Sequence, residues 1–191
     1  ELGYDVAVPG THEFDYGMDT FFKLTGEAEF PYLSVNFTDL RTDEKPFQAY
    51  TIIDAEQYRI AFVGLTTPET PISSRPSNFQ DEDGNFIYGF LGSDDGTALY
   101  TAVQNAIDAA YADGADYVFA IGHMGNYVYD DRWSSIAVFE HVSGLTGFID
   151  GHSHSEIIGE GWDKSGNDVW LTSTGTKLQT IGQITITPER Q

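Results

Sequence analysis

The chain has no cysteine, which excludes disulfides and thiolate metal sites and leaves His, Asp, Glu, Asn and Gln as side chains able to hold an ion. Positive charge is scarce too. Nine Lys plus Arg stand against 30 Asp plus Glu, a net charge of −21 at pH 7, whereas a protein that grips DNA or RNA by its phosphates needs a basic face. Nucleic acid is therefore not an expected partner. A small anionic substrate needs local positive charge, and with so few basic residues a bound metal ion is the obvious supplier. No apolar run approaches the ~20 residues of a membrane-spanning helix, and no signal-peptide pattern is present in these residues.

What is present suffices for a fold. The 191 residues are 40% hydrophobic and 14% aromatic, enough for one domain with a sizeable core. "ELG" reads as the last turn of a helix closed by Gly3, followed by a short strand over 5–8, so the chain reads as a piece of a longer protein. Met18, Phe21, Phe22 and Leu24 place an apolar stripe on a helix, and "PYLSVNF" at 31–37 reads as a strand. "FQAYTII" and "YRIAFVGL" flank "DAEQ" as a hairpin over 47–65. Residues 66–94, with Pro68, Pro71 and Pro76, read as a long loop with little regular structure, the kind that is often functional. A helix follows from 97, with Leu99, Val103, Ala106, Ile107 and Ala110 on one face, Asp94 and Asp95 at its start and Gly114 at its end. "ADYVFAIGHMG" predicts a buried strand over 117–121. A second helix over 133–142 leads to the strand "GFID", and "DVWLTST" and "IGQITITPE" close the pattern as two last strands.

Histidine placement carries the chemistry. His12, His123, His152 and His154 each stand in a Gly-flanked turn just after an apolar strand, where open α/β sheets gather their reactive groups. Neutral imidazoles from separate strand ends can share a metal, and "HSH" offers two rings on alternate, extended positions. His141, on the polar side of a helix, reads as structural or solvated. Tyr4, Tyr16, Tyr127 and Tyr129 could line a cleft for a base, but packing in the core is the simpler reading.

"GTHEFDYG", "SVNF", "GLTTPET", "GHMG" and "GHSHS", in this order, resemble the calcineurin-like metallophosphoesterases, specifically their bacterial 5'-nucleotidase branch. The resemblance covers nearly the whole chain and is most specific at "HEFDYG" and at the "GHMG"–"GHSHS" pair. It implies an α/β fold, the four-layer α/β/β/α sandwich of that family without its first strands, residues 1–191 forming one catalytic domain. It also implies two divalent metal ions (Mn, Zn, Mg, Ca or Fe) and hydrolysis of a phosphate monoester, most simply a 5'-nucleotide. His12 matches the histidine that meets the phosphoryl group, and Asp15 the carboxylate that orients it. His123 and His152 match ligands of the second metal, His154 a ligand of the first, and Asn36 an asparagine near the pocket floor. An extracellular, cell-surface or periplasmic location follows from the resemblance alone.

The sequence departs from the family at two points. The D-x-H and G-D motifs that supply further ligands have no counterpart in these residues, and Thr11 stands where the family has a metal-binding asparagine. Weak metal binding and an inactive fragment are therefore expected. A non-catalytic binding module that keeps the fold is the alternative. The second domain that stacks the nucleobase in this branch is also absent from these residues. "DEDGN" at 81–85 has half the pattern of a calcium loop but reads as a solvated turn. "NFT" at 36–38 fits a glycosylation sequon at a buried strand end and is discounted. A sheet edge left open would invite pairing with a second copy.

Overall fold

The computed structural model describes residues 3–92, 94–126 and 130–187. Along the chain run α1 (Met18–Glu27), β1 (Phe37–Asp39), β2 (Tyr50–Ala55), β3 (Tyr58–Thr66), the one-turn α2 (Thr70–Ser73), β4 (Tyr88–Phe90), α3 (Thr97–Ala112), β5 (Tyr117–His123), α4 (Ser135–His141), β6 (Gly147–Asp150), β7 (Glu156–Trp162) and β8 (Asp168–Thr174). Six strands form one sheet in the order β2-β3-β5-β6-β8-β7. Its inner four are parallel, and β2 and β7 are antiparallel edges. The fold is mixed α/β, as the alternation of strands and helices requires.

The inner strands bury one face under helices. Ala61, Val63 and Leu65 of β3, Val118 and Ala120 of β5, Phe148 of β6, and Val169 and Leu171 of β8 pack with Leu99, Val103 and Ile107 of α3 and Val138 and Phe139 of α4. Each large aliphatic removed from water here contributes roughly 1.5–3 kcal/mol. The 3–4 spacing along α3 is what aims its apolar residues at the sheet. Asp95 Oδ1 accepts the Thr97 N–H at 2.9 Å to start that helix, and Gly114, at φ +90, ends it. α3 and α4 thus form a helical layer on one face of the sheet.

A second core is aromatic. Phe14, Phe21, Phe37, Phe79 and Phe90 cluster away from the large sheet, beneath the antiparallel pair β1–β4. This cluster explains why 66–94 is more ordered than its prolines suggest: Phe79 and Phe90 anchor it, so that α2, a 3₁₀ turn at Pro76–Phe79 and β4 all form.

Several other expectations are corrected. The strand expected at 5–8 is reduced to a single bridge from Ala7 to Tyr32, and 31–35 makes bridges instead of a ladder. Those residues are pinned between neighbours, since a Cβ on Gly64 would lie 2.6 Å from the Leu33 carbonyl oxygen. In the β2–β3 hairpin the turn shrinks to Glu56 and Gln57, because Glu56 takes a left-handed φ of 55 and lets Asp54 pair with Arg59. Leu24 on α1 is exposed. Residues 181–187 form no strand, and β7 takes the edge beside β8 instead. β7 escaped notice because Gly159 and Gly161 occupy alternate positions, and a Cβ on Gly161 would lie 2.7 Å from the Phe139 ring. The turn reading of 81–85 holds: Asp81 Oδ1 accepts the N–H groups of Asp83 and Asn85. Asp163 does the same for Ser165 and Asn167 in the β7–β8 loop.

Candidate active site

Two imidazoles meet at the ends of the parallel strands. His123 is the last residue of β5, opposite Thr66 of β3, and His152 lies two residues beyond the end of β6. His152 Nδ1 is 3.2 Å from His123 Nε2, with the rings T-shaped and their centroids 4.9 Å apart. The backbone of "GHSHS" is not extended. Ser153 N–H donates to Gly151 O at 3.0 Å across His152, whose φ is +74, which makes His152 the centre of a γ-turn. His154 is left-handed as well, at φ +55. Such conformations cost on the order of 1–3 kcal/mol and persist where the surroundings hold them.

Burial, reinforced by the charge that His152, His12 and His154 carry when protonated, lowers the pKa of His123 from 6.5 to about 4. His123 is therefore neutral, with a lone pair available. His152 Nε2 faces Glu69 Oε2 at 3.5 Å.

Asp150 holds this side together. The last residue of β6, it is 9% exposed, and its Oδ1 accepts the N–H groups of Met124 at 2.9 Å, Gly125 at 3.2 Å and Gly151 at 2.8 Å. It thereby ties the turn after β5 to the turn after β6. Burial pushes its carboxyl above the ordinary range, against the pull of those N–H groups and the Ser135 hydroxyl.

The third turn comes from the start of the chain. A 3₁₀ turn at His12–Phe14 rests on buried Phe14, and Thr66 Oγ1 donates to Pro9 O at 2.7 Å to fix its approach to β3. His12 Nδ1 lies 2.8 Å from Asp15 Oδ2, and the His12 side chain is 75% exposed, open to a solute. The Ser74 hydroxyl, then His12, hold Asp15 below the ordinary carboxylate range. Gly10 is the seam between the two sides: a Cβ there would sit 2.7 Å from Glu13 Oε2 and 3.0 Å from His123 Nδ1.

The remaining expected residues fall as follows. Thr11 is 2% exposed, and among the described residues its hydroxyl has no hydrogen-bond partner. Asn36 is fully buried; its Nδ2 donates to Thr66 O at 2.7 Å and its Oδ1 accepts the Thr66 N–H at 3.2 Å. It braces the end of β3 under the site, and its burial agrees with setting the sequon aside. His141 stacks on Tyr100 and contacts Ala137 O through Nδ1, a structural role. Tyr16 is 84% exposed and does not pack in the core. Tyr127 and Tyr129 lie outside the described residues. Asp150 and Glu69 were not singled out from sequence. For Asp150 a signal existed, an acid ending an apolar strand directly before "GHSHS".

Among the described residues no group of three or more His, Asp and Glu side chains forms a complete ion site. The His123–His152 pair fits part of one. Two nitrogens about 2.1 Å from a shared ion at near-tetrahedral angles lie roughly 3.2–3.4 Å apart, and His123 is held in its neutral, ligating form.

No family model matches the sequence. Protein UshA from Salmonella pullorum is 35% identical over 162 residues, which are 82% of this chain and 28% of that protein. A 5'-nucleotidase from Vibrio parahaemolyticus is 29% identical over 168 residues, 84% of this chain and 28% of that protein. The chain thus spans 28% of the length of these curated relatives. A calcineurin-like phosphoesterase from Bacillus subtilis superposes with a TM-score of 0.72 at 18% identity, over 92% of this chain and 55% of that one. A 5'-nucleotidase precursor from Thermus thermophilus gives 0.69 at 20%, over 90% and 33%. The architecture, with its imidazoles at parallel strand ends, is that of a calcineurin-like phosphoesterase. Over the stretch it covers, the chain belongs to the bacterial 5'-nucleotidase branch of that family. No helix among the described residues is long and apolar enough to cross a membrane.

Proposed function

We propose that the protein carrying this chain hydrolyses phosphate monoesters, 5'-nucleotides foremost, with divalent metal ions and with His12 as the proton donor to the leaving group. Divalent ions, when bound, supply positive charge for the phosphoryl oxygens and acidify water. His123 and His152 would hold one of them and His154 the other, with Thr11 in the place of the family's asparagine. Asp15 accepts from His12 Nδ1, so the proton to be given up sits on Nε2 of the imidazolium, on the solvent-open side. Asp150 keeps the two strand-end turns in register, and Asn36 keeps the end of β3 firm beneath them. The nucleotide preference rests on the names of the relatives, and an address outside the cytoplasm on the resemblance alone.

One observation carries the reading: Gly10, two residues before the exposed His12–Asp15 pair, packs against the ring of His123, which in turn contacts His152. The deciding measurement is release of phosphate from adenosine 5'-monophosphate by the whole encoded protein with manganese. Turnover that falls at least about 100-fold in His12→Ala, the scale of general acid catalysis, is expected. If neither the natural protein nor Thr11→Asn turns over, the non-catalytic alternative replaces this reading. The isolated 191-residue chain is expected to be inactive and to bind manganese weakly, which calorimetry would read.

A further inference from the structure

Two adjacent serines at the end of α2 each donate to a carboxylate, and the two carboxylates face the two halves of the site. Ser74 Oγ donates to Asp15 Oδ1 at 2.7 Å, while Asp15 Oδ2 faces His12 Nδ1 at 2.8 Å. Ser73 Oγ donates to Glu69 Oε1 at 2.7 Å, while Glu69 Oε2 faces His152 Nε2 at 3.5 Å. The arrangement repeats: hydroxyl on one carboxylate oxygen, imidazole on the other.

We infer that Ser74 and Ser73 are positioning residues, each setting the plane of one carboxylate so that its second oxygen addresses His12 or His152. A carboxylate joined to its stem by a soft terminal torsion turns easily, and a donor on one oxygen restricts where the other points. The segment that delivers the serines is itself fixed. Asn78 Nδ2 donates to Phe14 O at 2.8 Å and Asp15 O at 3.2 Å, which ties it to the His12 turn. The N–H groups of Ser73 and Ser74 donate to Glu69 O and Thr70 O. Because Asp15 is part-exposed, water can replace the Ser74 hydroxyl as a donor but not its direction. The effect is therefore on orientation more than on stability. Its importance for turnover rests on the proton-donor role proposed for His12; the geometry stands without it.

The test reads which nitrogen of each neutral imidazole carries the proton, by long-range ¹⁵N–¹H correlation in the 191-residue chain at pH 8. In the natural chain His12 is expected with its proton on Nδ1, facing Asp15. Ser74→Val, which differs from Ser74→Thr only by a methyl in place of the hydroxyl, is expected to move that tautomer ratio toward Nε2–H by about threefold, the size one net hydrogen bond supports. His152 should then be unmoved. Ser74→Thr should keep the natural ratio, and Ser73→Ala should shift His152 and leave His12. An unchanged His12 ratio in Ser74→Val overturns the inference, as does a change that reaches His152 equally, which would mean general loosening. An amide spectrum for Ser74→Thr matching the natural chain keeps the Thr/Val pair interpretable. No turnover is needed, so a failed phosphatase assay and a failed positioning role are separately visible.

Discussion

The two sides of the site are held in opposite ways. His123 and His152 stand at the ends of parallel strands over the aliphatic core, half-buried, their turns cross-tied by the buried Asp150. His12 stands on a short 3₁₀ turn over a cluster of phenylalanines, exposed, and its partner is three residues away in sequence. Position on the first side is set by sheet register. On the second it is set by local turn chemistry on a small aromatic base. The division suits the roles proposed: ligands of an ion gain from rigidity, whereas a proton donor must meet an arriving solute.

The sharpest way to break that contrast is to remove the aromatic base. Phe14 is fully buried, with ring centroids 4.2 Å from Phe21, 5.1 Å from Phe79 and 5.5 Å from Phe37. Phe14→Ala is expected to cost about 4 kcal/mol in urea unfolding. In what remains folded, the His12–Asp15 contact should be lost and the His123–His152 contact kept, as imidazole proton spectra would report. Loss of both together would show one cooperative unit. The matching change on the other side, Asp150→Ala, strands three N–H groups, two of them buried, and is expected to cost about 3 kcal/mol. It should release His123 and His152 and leave His12 in place. Asp150→Asn keeps one acceptor oxygen and should cost less.

Acid separates the sides further. With its folded pKa lowered to about 4 from 6.5, His123 stays neutral while the unfolded chain takes up a proton. Stability is therefore expected to fall as pH drops from 6.5 toward 4, by on the order of 2 kcal/mol. Asp15 has the usual carboxylate sign: its contribution is present above its unfolded value and is lost only as pH falls through its lowered folded value. Urea midpoints at pH 7.5 and 5 for the natural chain and His123→Gln isolate the first window. The decline should flatten in the variant, and an identical decline would remove His123 as its source.

The same contrast governs how much could be read from sequence. The strand-end imidazoles were legible because apolar runs stop at glycine beside His123 and His152, and the sheet then brings the ends together. The conformation of "GHSHS" was not legible. An H-x-H spacing suggests alternate extended residues, while the Ser153-to-Gly151 bond folds His152 into a γ-turn. Asp150 hid because an acid at a strand end reads as surface until register buries it among three N–H groups. Ser73, Ser74 and Glu69 hid because their segment looks irregular; its order comes from Phe79 and Phe90 reaching a distant cluster. The β7 strand hid behind two glycines, one of which, Gly161, leaves room for Phe139.

The seam itself offers the finest test, because one position touches both sides. At Gly10 an added Cβ would meet Glu13 Oε2 at 2.7 Å and His123 Nδ1 at 3.0 Å. The first is the end of a flexible side chain and swings away at little cost. The second belongs to a ring held by His152 and set against Gly151, where a Cβ would come within 3.4 Å of the same nitrogen. The His12 turn has to give way instead. Gly10→Ala is therefore expected to cost only about 1 kcal/mol, the low end of overpacking, yet to shift the imidazole signals of both His12 and His123. Phe14→Ala and Asp150→Ala should each shift one set alone. A Gly10→Ala chain with His12 signals moved and His123 signals unmoved would show that the two sides do not touch there, and the proposal of a shared site would lose its geometric basis.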